Sequence, residues 1–192
     1  MAYIEDLLYE IKIGNNKNIE SLFNYMLSQI FDEAYLKKIE MLLNNKVIKI
    51  IEKEERKDIV AWTVGTTIYV NPDEFNARNI ESQIKYLLHE FIHVLNNSKS
   101  FFILNKFKEI KELSKTLWKI TLEHSDNPGK FLTNKNINKN LLNDQEALSY
   151  IMNGSLNWTE ISSKGRKLFI EAIKQSNIFN LDSKFWKERL KI

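Results

Sequence analysis

Cysteine is absent from the 192 residues. Disulfides and thiolate-bound metals are therefore excluded, and any metal held by this chain must take nitrogen and oxygen ligands. Two prolines and five glycines give little punctuation, which favours long helices over a strand-and-turn fold. No apolar run is long enough to span a bilayer. The opening residues Met1-Ala2-Tyr3-Ile4-Glu5-Asp6 are acidic and amphipathic, not basic then apolar, so no signal peptide is visible. The expectation is a cytoplasmic protein that makes no use of a membrane, with non-classical export or delivery into another cell as the alternative.

Strong charge of one sign is missing too. The net charge is +3, and it is spread evenly, so a nucleic-acid partner is not expected. Lysine is abundant beside asparagine and isoleucine, which points to codon bias and a solvated face. A hydrophobic content of 43% with 28% charged residues describes a globular protein of one domain, large enough for a sizeable core. Nothing in the sequence fixes its oligomeric state.

Hydrophobic spacing outlines the elements. Ile4, Leu7, Leu8 and Ile11 predict a first amphipathic helix. Ile19, Leu22, Phe23, Met26, Leu27 and Ile30 predict a second, and Tyr35 to Leu43 a third. Three short β-branched runs follow, Val47 to Ile51, Ile59 to Val64 and Thr66 to Val70, with Gly65 marking a tight turn or a bulge between the last two and Asn71-Pro72-Asp73 closing the sheet. Asn79 is the expected N-cap, with Glu81 in the first turn, of a helix reaching about Asn96. Further helices are expected over Ile103 to Glu123, Asp144 to Met152, Lys164 to Gln175 and Ser183 to Leu190. A polar loop holds Asp126-Asn127-Pro128-Gly129. The predicted class is α+β, mostly helical, with a small twisted sheet.

Two of the three histidines stand in Tyr86-Leu87-Leu88-His89-Glu90-Phe91-Ile92-His93-Val94-Leu95. Residues four apart share a helix face, so His89 and His93 can reach one ion. Glu90 points partly away from that pair, where a carboxylate can touch water without being a ligand. The flanking residues are apolar, and buried ionisable groups are costly unless paired or bound to metal. The alternative is a half-exposed helix whose histidines are satisfied by hydrogen bonds.

His-Glu-x-x-His on a helix that follows a short sheet resembles the zincin metallopeptidases. The resemblance runs from about Ile59 to Met152. It implies a core at 46–152, packed as a small sheet against the motif helix. A helical N-terminal part at 1–45 and C-terminal helices at 153–192 complete a single domain. It further implies a zinc cofactor, a protein or peptide substrate, and a substrate strand docked on the free edge of Thr66 to Val70. Zinc needs a third protein ligand. Asn96 and Lys99 stand where metzincins carry glycine and histidine, and no Gly-Thr-x-Asp segment follows the motif. The gluzincin pattern remains, with a glutamate on a later helix.

Asn143-Asp144-Gln145-Glu146-Ala147-Leu148-Ser149-Tyr150 is similar to that ligand helix in lethal-factor-like toxins and phage-associated peptidases. Glu146 is thus the implied ligand, although Asn143 and Glu146 could instead form a capping box. His124 is the rival, as third ligand, as oxyanion donor or as an ordinary surface histidine. Tyr150 is a candidate support for a zinc histidine, or a plain buried tyrosine. The resemblance assigns Glu90 as general base for an attacking water. Ser125 to Leu142 lacks the tyrosine or histidine that many gluzincins use to stabilise the oxyanion. A catalytically silent zincin scaffold, bacterial or phage, that grips a protein partner is therefore the second expectation.

Overall fold

The computed structural model describes residues 19–45, 47–53, 59–96, 107–128, 144–154 and 157–190. The expected helix around Ile4 to Ile11 lies outside them. The described chain is α+β, with a small mixed sheet among helices. Helices α1 (Ile19–Ile30) and α2 (Glu33–Asn44) come first. Asp32 separates them and caps α2 by accepting the Tyr35 N–H at 2.7 Å. Strands β1 (Lys49–Glu52), β2 (Ala61–Val64) and β3 (Thr67–Val70) form the sheet. Gly65, at φ 65°, makes the two-residue β2–β3 turn, in which Val64 pairs with Thr67.

Sheet order is the main departure from expectation. The order is β1-β3-β2, with β1 parallel and β2 antiparallel to β3. The strand at Thr66 to Val70 is therefore central and has no free edge. Among the described residues, β2 pairs only with β3, so β2 is the edge strand of the hairpin. Local alternation gives a strand's faces but not its neighbours, because the parallel β1–β3 pairing is non-local.

Asn71 does more than close the sheet. Its side chain accepts the N–H groups of Asp73 and Glu74 and starts a short helix, α3 (Pro72–Asn76), with Pro72 in its first turn. Helix α4 (Ile80–Leu95) follows, capped by Asn79, which accepts the Ser82 N–H at 2.9 Å. Leu87, Leu88, Phe91, Ile92, Val94 and Leu95 are buried, while Tyr86 stays 39% exposed. Ala61 and Thr63 of β2 and Ile68 and Val70 of β3 share the face that packs on α4.

Helix α5 (Lys108–His124) buries Ile110, Leu113, Leu117, Ile120 and Thr121 at helical spacing. Helix α6 (Asp144–Met152) packs on both α4 and α5. Its small residues Ala147 and Ser149 are fully buried, which allows the three helix backbones to approach closely. A turn of 3-10 helix at Trp158–Glu160 leads to α7 (Ser163–Gln175) and α8 (Lys184–Leu190). The Trp186 indole N–H donates to the Ile30 carbonyl at 2.8 Å, and Phe31 pairs with Phe179. One hydrophobic cluster runs through all these helices and the sheet. No described helix is long and apolar enough to cross a membrane.

Candidate metal centre

Helix α4 sets His89 one turn below His93, and α6 brings Glu146 against both. His89 Nε2 lies 3.0 Å from His93 Nε2. Glu146 Oε2 is 3.5 Å from His89 Nε2, and its Oε1 is 3.5 Å from His93 Nε2. Their side chains are 17%, 19% and 18% exposed for His89, His93 and Glu146. Among the described residues this is the grouping of His, Asp and Glu that could hold a metal ion. Asn143 lies outside the described residues; the Glu146 carboxylate turns toward the histidines.

Burial decides the charge states. It pushes His89 down to about 3, with the neighbouring His93 adding to the effect, and His93 down to about 4. Both rings are neutral at pH 7 and keep a lone pair for a ligand. The 3.5 Å contacts to Glu146 are thus not ion pairs. Burial, then the nearby Glu90 carboxylate, pushes Glu146 up to about 7. Two neutral imidazoles and a carboxylate that resists ionisation form a cluster whose electrostatic demand a dication would meet.

Glu90 is held from the sheet. Thr63 Oγ1 lies 2.8 Å from Glu90 Oε2 and 3.0 Å from the Glu90 carbonyl, so its one proton can go to either. Burial raises Glu90 to about 7, and the Thr63 hydrogen bond moderates the rise. A carboxyl poised near neutrality suits proton transfer at physiological pH.

Tyr150 presents its ring edge-on to His89, with centroids 5.1 Å apart. Burial, then Glu146, pushes its hydroxyl up to about 12, so it remains a donor. On the other side of the His89 ring, Asn153 Nδ2 lies 3.3 Å from Nδ1. His124 takes no part in the group. Its Nδ1 meets Ser162 Oγ at 3.4 Å, and its carbonyl accepts the Ser162 N–H at 2.9 Å. There α7 crosses α5 so tightly that a Cβ on Gly165 would lie 2.5 Å from His124 Cβ.

Sequence reading missed Thr63 and Asn153. Thr63 is the polar residue in an otherwise apolar strand run, and Asn153 stands seven residues after Glu146 on the same helical face. Both signals exist but are weak. No family model, curated protein or solved structure matches the chain. The centre is read from its own geometry.

Proposed function

We propose that this chain is a zinc-dependent peptidase. The observation that carries the reading is the convergence of His89, His93 and Glu146 with Glu90 beside them. The donor set fits zinc: with bonds of about 2.0–2.2 Å, tetrahedral ligand atoms stand roughly 3.3–3.6 Å apart. The three separations here are 3.0, 3.5 and 3.5 Å. Two neutral nitrogens and one oxygen are a ligand set of catalytic zinc sites, which keep a position open. A zinc ion held there supplies Lewis acidity, polarising a carbonyl and making water a nucleophile at neutral pH.

The chain's residues supply the rest. Glu90, steadied by Thr63, takes a proton from the attacking water and passes it to the leaving amine. Edge strand β2 gives an extended peptide somewhere to add beside α4. Val64, 57% exposed at the end of β2, offers such a peptide an apolar contact. The test is hydrolysis of an unstructured protein such as casein by the zinc-loaded chain, beside Glu90→Gln. Cleavage that the variant loses while keeping zinc supports the reading. Zinc binding without cleavage favours the scaffold that grips a partner.

A further inference from the structure

We infer that Tyr150 is a further catalytic residue, an inference that rests on the peptidase reading above. Its hydroxyl donates a hydrogen bond to the substrate carbonyl oxygen as that oxygen gathers negative charge. The placement is built into α6. Glu146 and Tyr150 stand four residues apart in Asp144–Met152, so they share a helix face one turn from each other. Long side chains on a helix lean toward its N-terminus, which lays the Tyr150 ring back over the turn that carries Glu146. It meets His89 there, with ring centroids 5.1 Å apart and planes at 74°. The helix that brings one ligand to the centre thus seats a phenol against a second.

The other polar side chains described beside the centre are engaged. Thr63 Oγ1 stands against Glu90. The Asn153 amide stands at His89 Nδ1, while Nε2 is the nitrogen that faces Glu146. His124 is tied to Ser162. The Tyr150 side chain is only half-buried, and among the described residues its hydroxyl has no hydrogen-bond partner. As water adds to the carbonyl carbon, the C=O electron pair moves onto oxygen and Glu90 takes the water proton. A hydrogen bond from Tyr150 to that oxygen is stronger in the transition state than to the neutral carbonyl. It therefore speeds the chemical step without tightening substrate binding. When the C–N bond breaks, its electron pair leaves with nitrogen, the carbonyl re-forms, and the proton on Glu90 goes to the amine. The phenol keeps its own proton throughout.

Tyr150→Phe keeps the ring against His89 and removes only the hydroxyl. Zinc-loaded parent and variant are compared for kcat and KM on casein, and for affinity toward a blocked phosphinic Phe-Ala dipeptide. The phosphinate group of that probe has the shape and charge of the tetrahedral oxyanion. Zinc affinity and KM should stay close to the parent's, while kcat falls about a hundredfold. Affinity for the phosphinic dipeptide should weaken by a similar factor. A variant with the parent's kcat and phosphinate affinity would overturn the inference and leave the peptidase reading standing. So would a fall in activity that lost zinc or a raised KM accounts for. If the parent binds the phosphinic dipeptide but cleaves nothing, the peptidase reading fails, and weaker binding by Tyr150→Phe still identifies the donor. A parent that takes neither zinc nor the phosphinic dipeptide overturns both.

Discussion

At Glu90 and Glu146, burial does two opposite jobs. It holds two carboxyls near neutrality, where one can exchange protons, and it leaves the metal-free protein with a cluster that resists ionisation. For catalysis, Glu90→Gln should keep one zinc and lose at least about a hundredfold in hydrolysis rate, measured on the same substrate. For stability, Glu146 is raised from 4.5 to about 7 in the folded chain. A group so raised contributes stability that is fully present below the unfolded value and is lost as pH rises through the folded one. In metal-free protein, Glu146→Gln should thus match the parent near pH 4 and exceed it above pH 7. The gain is on the order of 2–3 kcal/mol, seen by urea unfolding. His89 and His93, lowered from 6.5 to about 3 and about 4, have the opposite sign. Their contribution is present above 6.5 and lost as pH falls through those values. Equal parent and variant stabilities at every pH would show that Glu146 is not buried against the histidines.

Between elements, the contact that matters most is the one from β2 to α4. Thr63→Val keeps the β-branched shape and removes the hydrogen bond that holds Glu90 down. The Glu90 pKa should rise, moving the acid limb of the kcat/KM profile to higher pH. The rate near neutrality should fall about tenfold with KM little changed, and Thr63→Ser should restore both. A variant with the parent's pH profile would leave Thr63 a packing residue only. Helix α4 itself was legible in the sequence, because Asn79 and the apolar spacing from Ile84 to Leu95 are local signals. So were α1, α2, α6, α7 and the three strands, within a few residues. Strand order was not legible, since four-residue strands carry face alternation but no record of their partners, and the central place of Thr67–Val70 follows from the non-local β1–β3 pairing. Asn71 as the cap of α3 went unread because Asn-Pro also signals a plain turn.

Across the whole molecule, one hydrophobic cluster carries both helices of the centre. The pairing of His89 with His93 follows from helix geometry alone. Glu146 came from resemblance to a ligand helix, and its approach depends on Ala147 and Ser149 packing α6 on α4 and α5. Asn153 was only weakly signalled, by its place seven residues after Glu146, because its contact with His89 is between segments distant in sequence. Zinc should bind the folded chain and not the unfolded one, in which the three ligands are apart. A hundredfold excess over Kd should then stabilise the protein by about 2.7 kcal/mol. The most direct measurement is zinc stoichiometry of the purified chain by elemental analysis, beside Glu146→Ala. The account predicts one zinc per chain, lost or greatly weakened in the variant. A parent that takes up no zinc, or a variant that holds it as tightly as the parent, would contradict it.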